Sequence, residues 1–269
     1  MLRSILSKLH PVLIIPPIPP HHSMTDYAVK QSKAKEDASV IARRRRMLQT
    51  FLNRLNRHPI LSEDRVFQRF LDPNSTFPEI LHSPPVTLLP KNVLKSSPKD
   101  PTDMSLADMY NALPLPSGSG SLQEPDQRFL DSEAFTNKFS SHLSGSLEKV
   151  NRRLMRRWTD LGADEADLGG LLNGFGLLEQ NANPDLAAAI EKTGQAIDST
   201  YVHTNVMLQE WERLITEPLS EYAQFSAIIK LLLKYRHSKH VQFEMTRDGR
   251  IFFFSAFTPV YGFITHSTR

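Results

Sequence analysis

The chain has 269 residues, with 32 Lys and Arg against 29 Asp and Glu, a formal net charge of +3 and a pI near 9.1; this balance is too mild to argue nucleic-acid binding from bulk charge. It contains no cysteine, which excludes disulfide scaffolds, thiolate zinc clusters and cysteine nucleophiles and fits a cytosolic setting. No run approaches the roughly 20 apolar residues of a membrane-spanning helix, and Val12-Leu13-Ile14-Ile15 before Pro16 is too short for a signal-peptide core, so any membrane contact is expected along a surface.

In chain order, residues 2–9 suit a short helix closed by Pro11, and Val12 to Ile15 reads as a buried extended run. Pro16-Pro17-Ile18-Pro19-Pro20 forces an extended loop, because proline fixes φ and disfavours helix in the residue before it. His21 to Lys35 is polar and irregular. From Glu36 to Arg57, Ile41, Leu48, Phe51, Leu52 and Leu55 recur at helical steps on one face, with Glu36 and Asp37 in the first turn, where the helix dipole favours acids. A second short helix is expected from Glu63 to Leu71, with Val66, Phe67, Phe70 and Leu71 as its apolar set.

Between Pro84 and Pro125 periodicity is lost among prolines and the run Ser117-Gly118-Ser119-Gly120-Ser121, the composition of a linker. From about Ser132 a stripe begins: Phe135, Phe139, Leu143, Leu147, Val150, Leu154, Trp158, Leu161, Leu168, Leu172 and Phe175. Their mean step is that of a straight helix, roughly 60 Å long at ~1.5 Å per residue. Asn181-Ala182-Asn183-Pro184 ends it, with Pro184 suited to a first helical position. A second stripe runs from Leu186 to Leu232, with a kink expected near Glu217 because of Pro218. Stripes this long in so short a chain call for a partner. The helical pattern stops at Thr246, and residues 247–269, rich in Phe and without helical period, read as strand-like or disordered.

Two basic features stand out. Within Arg43-Arg44-Arg45-Arg46, Arg44 precedes Leu48 by four residues and Phe51 by seven and so borders the apolar side. An arginine there, near a proline-rich loop, is placed to grip a phosphate bidentately; the plainer reading is a solvated face. Lys149, Arg152, Arg153, Arg156 and Arg157 form a continuous basic face beside the stripe from Phe135 to Phe175, either solvated or turned to anionic lipid, where each charge contributes on the order of 1 kcal/mol. His237 and His240 lack a carboxylate cluster for metal binding, and Gly118 and Gly120 lack the flanking strand and helix of a phosphate loop. No catalytic constellation, metal site or cofactor is expected.

Leu13-Ile14-Ile15-Pro16-Pro17-Ile18-Pro19, Ala34-Lys35-Glu36-Asp37, Arg44-Arg45-Arg46-Met47-Leu48-Gln49-Thr50-Phe51-Leu52-Asn53-Arg54 and His58-Pro59-Ile60-Leu61 resemble the second half of a PX domain. Asp126-Gln127-Arg128-Phe129-Leu130-Asp131-Ser132-Glu133 and Glu148-Lys149-Val150-Asn151-Arg152-Arg153 resemble the start of a BAR domain. The combination is similar to the fungal autophagy-related sorting nexins, the branch containing autophagy-related protein 20 and sorting nexin 41. The resemblance implies a mostly α fold. It places a partial PX domain at 1–83, a Pro/Ser/Gly-rich linker at 84–128, the N-terminal part of a BAR-like helical domain at 129–246 and a non-matching tail at 247–269. It also implies binding of phosphatidylinositol 3-phosphate, with Arg44 at the pocket-arginine position and His21 where the family carries a lysine. The family's Arg-Arg-Tyr-Ser motif lies before the first helix, within which this sequence starts, so the expected PX domain lacks that motif and its small sheet. The implied protein is a peripheral membrane component of endosomes and pre-autophagosomal structures that acts in sorting, transport and autophagy. It would pair with a second copy or another sorting nexin. A helical scaffold without lipid recognition, or a truncated product without function, remain the alternatives.

Overall fold

The computed structural model describes the backbone of residues 1–19, 34–117 and 120–262 and the side chains of residues 1–19, 40–117 and 120–248. The described residues are mostly α-helical and contain no strand. The helices are α1 (Leu2–Leu9), α2 (Ala34–Arg57), α3 (Arg65–Leu71), α4 (Phe77–Leu81), α5 (Ala107–Ala112), α6 (Gln127–Ser140), α7 (Glu148–Glu179), α8 (Pro184–Trp211) and α9 (Glu217–Gly262). They fall into two compact units, one of Met1–Thr136 with the segment from Ala227 onward, the other of Asn137–Ser226.

The first unit has its apolar core at its N-terminal end. Leu2, Ile5, Leu6 and Leu9 of α1 cluster with Ile15 of the extended run, Phe51 and Leu55 of α2, Leu61 of the turn before α3, Val66 and Phe67 of α3, and Ile80 of α4. The extended run after α1 is buried on one side only: Ile15 is enclosed, whereas Val12 and Ile14 are exposed, because alternate side chains of an extended chain point oppositely. Arg3 Nε donates to the Pro16 carbonyl at 3.0 Å and ties α1 to the proline loop. Asp64 caps α3, its Oδ1 accepting from the N–H groups of Val66 and Phe67 at 2.9 and 3.0 Å, while Oδ2 lies 2.7 Å from His10 Nε2. Burial works to raise the Asp64 carboxyl, but the bonds from His10, Phe67 and Val66 outweigh it and hold the group below its ordinary value.

The Pro-rich stretch after α4 is more ordered than its composition suggests. It forms short 3-10 turns and α5, and polar side chains of α9 hold its backbone. Lys239 Nζ donates to the carbonyls of Leu94 and Ser96 at 2.8 and 3.0 Å, and Gln242 Nε2 donates to that of Pro114 at 3.1 Å. Glu244 accepts from the N–H groups of Gln123 and Glu124 at 2.9 and 3.0 Å. Arg236 stacks 3.5 Å from the Phe129 ring centre. An irregular chain cannot satisfy its own peptide groups, and here a helix supplies the partners. No hydrophobic period announces such packing.

Lys239 bonds only carbonyl oxygens and sits near the Tyr110 ring; burial pulls its ammonium down to about 8. Burial, and then Tyr110, push Tyr235 up to about 12. From about pH 8 to pH 10 the unfolded chain therefore holds the lysine proton that the folded chain has shed, and stability rises with pH. Above about pH 10 the unfolded tyrosine loses a proton that the folded one keeps, and stability falls. Urea midpoints across that range are expected to show this rise and fall. Lys239→Met should remove the rise and leave the fall.

In the second unit α7 and α8 form an antiparallel hairpin. Asn183 Oδ1 accepts from Leu186 N–H at 3.1 Å and caps α8, with Pro184 in its first turn as expected. Two π-helical segments interrupt the α-helices: Ser141–Leu147 between α6 and α7, where a straight helix was expected, and Glu212–Thr216 before α9, beside the kink expected near Glu217. The second precedes Pro218, which has no N–H to donate and crowds the carbonyl four residues back, so a widened turn accommodates it. The expectation of a strand-like or disordered 247–269 is overturned over 247–262, where α9 continues unbroken to Gly262. A Phe-rich run has no period that distinguishes strand from buried helix, and extending an existing helix avoids the cost of nucleation.

Candidate functional site

The α2 stripe divides into two halves. Phe51 and Leu55 enter the core, whereas Ile41 and Leu48 emerge from it, 61% and 43% exposed. Arg44 sits half-buried on the emergent half. With Ile41, Arg45, Leu48, Gln49, Leu52 and Asn53 it lines an open depression of about 620 Å³. A guanidinium is more weakly hydrated than an ammonium and presents several donors in a planar fork, which suits it to hold an anionic group over an apolar floor. The structure thus places Arg44 where the spacing put it, on the apolar border. His21, the other expected headgroup contact, lies outside the described residues.

The basic residues of α7 lie on its solvent-exposed surface. Lys149, Arg152, Arg153, Arg156 and Arg157 are all exposed, and Arg152 pairs with Glu148 at 2.7 Å. The apolar stripe of α7 does not supply its contact with α8. The surfaces buried between α7 and α8 are small or polar: Gly162, Gly169 and Gly176 on α7, and Ala187, Gly194 and Thr204 on α8. Asn151 Oδ1 accepts from Trp211 Nε1 at 2.8 Å, and Asn173 Nδ2 donates to Asp198 Oδ2 at 2.9 Å. Val150, Trp158, Leu161, Leu168 and Phe175 are left exposed. Sequence reasoning missed this glycine seam, although its seven-residue spacing was legible. It also passed over Asp160, Asp164 and Asp167, an acidic block directly after the basic one.

His237 and His240 have structural partners: His237 Nε2 bonds the Gly120 carbonyl at 2.9 Å, and His240 Nε2 lies 3.6 Å from Glu244. Among the described residues no group of three His, Cys, Asp or Glu is placed to hold a metal ion, and no helix is long and apolar enough to cross a membrane.

Residues 1–74 match the family model for the PX domain. Relatives include sorting nexin-41 of Cryptococcus neoformans, 50% identical over 92% of this chain and 41% of its own length. Sorting nexin-41 of Yarrowia lipolytica is 43% identical, again over 92% of this chain, and 44% of that protein is covered. Autophagy-related protein 20 of Gibberella zeae is 37% identical over 92% of this chain and 45% of its own. The chain thus spans less than half the length of these relatives. The fold is similar to that of the SNX-BAR protein Mvp1, solved by cryo-electron microscopy as a tetramer, with a TM-score of 0.56 and 13% identity, covering all of this chain and 65% of that one. With its PX segment, its long paired helices and this level of identity along 92% of its length, the chain is homologous to part of the sorting nexins, in the branch of sorting nexin-41 and autophagy-related protein 20.

Proposed function

We propose that this chain serves as a peripheral membrane adaptor in endosomal sorting and autophagy-related transport, attached to endosomes and pre-autophagosomal structures by two weak signals used together. The PX segment reads a phosphoinositide headgroup, phosphatidylinositol 3-phosphate, and the basic face Lys149, Arg152, Arg153, Arg156 and Arg157 adds attraction to anionic lipid. The helical hairpin associates with a second copy or another sorting nexin. Coupling such signals yields stable attachment where neither alone suffices. The observation that carries this reading is Arg44, half-buried over the Ile41 and Leu48 depression inside the PX match. His21 is the second proposed headgroup contact; its imidazole becomes cationic as pH falls through the histidine range and then adds attraction.

The test is sedimentation with vesicles of matched charge, with and without phosphatidylinositol 3-phosphate. Arg44→Ala should weaken the phosphoinositide-dependent part by about tenfold, the scale of one charge-assisted phosphate contact, and Arg43→Ala by much less. Equal losses would mean diffuse attraction. No preference for the phosphoinositide in the unmodified chain would leave a helical scaffold without lipid recognition as the better reading.

A further inference from the structure

The Pro-rich stretch that α9 holds carries one hydroxyl set apart from its neighbours. Ser96 and Ser97 are adjacent, but Ser96 is buried and its Oγ donates to the Val93 carbonyl at 3.1 Å. Ser97 is half-buried, and its Oγ only accepts, from the N–H groups of Lys99 at 3.3 Å and Asp100 at 3.4 Å. Bonds this long are weak, so the turn opens at little cost. Ser97 is followed by Pro98, as Ser83 is by Pro84. The Ser83 hydroxyl, however, is engaged on both sides, donating to the Ile80 carbonyl and accepting from Arg69. Thr258, before Pro259, lies outside the residues whose side chains are described.

Charge around the Ser97 turn is one-sided. Lys95 and Lys99 stand two residues to either side of Ser97, and neither forms an ion pair among the described residues. The Lys239 ammonium is bonded to the Ser96 carbonyl at 3.0 Å, the peptide group that leads into Ser97. The acid of the turn, Asp100, is committed elsewhere: its Oδ1 accepts from the N–H and the hydroxyl of Thr102 at 2.9 and 2.7 Å. Two N–H groups thus point at an oxygen that carries no charge, and lysines flank it.

We propose that Ser97 is a phosphorylation site for a proline-directed protein kinase, and that its own turn holds the phosphate. A proline in the next position suits kinases that ask no N–H of that residue, since proline has none to donate. In the transfer, Ser97 Oγ forms a bond to the γ-phosphorus of ATP as the bond from that phosphorus to its bridging oxygen breaks. ADP leaves with the bridging oxygen, and the hydroxyl proton goes to the kinase's catalytic base. The phosphoserine carries about two negative charges and three strong acceptor oxygens. Those oxygens take over the N–H groups of Lys99 and Asp100, and Lys95 and Lys99 supply the facing cations. Charge-assisted bonds are roughly twice as strong as the neutral ones they replace, so the turn tightens. Lys239 joins the same segment to α9, so the modification also fastens the Pro-rich stretch to that helix.

The test incubates the full chain with magnesium ATP and a mitogen-activated protein kinase whose activity is verified in parallel on a Ser-Pro peptide. Mass spectrometry then locates the phosphate. It is expected chiefly on Ser97; Ser97→Ala should lose it and Ser96→Ala should keep it. Amide hydrogen exchange reads the second half of the proposal. In the modified chain the amides of Lys99 and Asp100 should exchange more slowly by about tenfold, the scale of one charge-assisted bond. Lys95→Ala with Lys99→Ala, modified to the same extent, should lose most of that slowing. No phosphate at Ser97, or phosphate that prefers Ser83, overturns the site. Phosphate at Ser97 with unchanged exchange, or full slowing in the double lysine variant, overturns the holding of the phosphate by this turn.

Discussion

Leu55→Ala is expected to destabilise the N-terminal unit by about 2–5 kcal/mol, the range for emptying a closed site in a packed core. Leu48→Ala, one helical row away, should cost no more than about 1 kcal/mol. Both leucines lie on the same stripe of α2, yet Leu55 is 0% exposed and Leu48 is 43% exposed. Leu55 belongs to a small core shared with α1, Ile15, Phe51, Leu61, Val66, Phe67 and Ile80, so few neighbours are available to collapse into a vacancy. Both tryptophans, Trp158 and Trp211, lie in the other unit, and their fluorescence would report the wrong event. Amide hydrogen exchange of α1 and α3 reports the right one. Protection there should fall for Leu55→Ala and hold for Leu48→Ala. Equal losses would mean that the emergent half of α2 is covered in solution.

That contrast also marks what the sequence makes legible. Periodicity identified the helices, because a 3.6-residue repeat is a property of the backbone and each apolar stripe repeats it many times. The break at Asn181 to Pro184 and the place of Pro184 in the first turn of α8 were readable from equally local signals. Periodicity does not say what covers a stripe. Ile41 and Leu48 obey the same repeat as Leu55 and remain in contact with solvent. The stretch from Pro84 to Pro125 has no repeat at all, yet Lys239, Gln242 and Glu244 order it through hydrogen bonds more than a hundred residues away in sequence. Such bonds leave no trace in local composition. Of the candidate site, Arg44 was legible from its spacing to Leu48 and Phe51.

Gly176→Ala is expected to destabilise the α7 and α8 hairpin by about 1–3 kcal/mol, although alanine is the better helix former by about 1 kcal/mol. A Cβ on Gly176 would stand 3.2 Å from the Ala187 carbonyl oxygen and 3.4 Å from the Glu191 backbone nitrogen. Both are backbone atoms of a regular helix, which cannot turn aside as a side chain does, so the helices must separate. Separation at one seam position loosens its neighbours, because Gly169 and Gly194 lie equally close to the opposite helix, against Asp198 and Asn173. Gly174→Ala is the control: nothing lies within 4 Å of its added Cβ, so propensity acts unopposed and should stabilise by up to about 1 kcal/mol. Trp211 sits in the same unit, its Nε1 donating to Asn151 at 2.8 Å, so its fluorescence in urea follows the hairpin. The midpoint should fall for Gly176→Ala and rise for Gly174→Ala. A rise for both would show that α7 and α8 do not pack at the seam, and the exposed stripe of Trp158, Leu161 and Phe175 would then have to be reassigned to the hairpin's own interior.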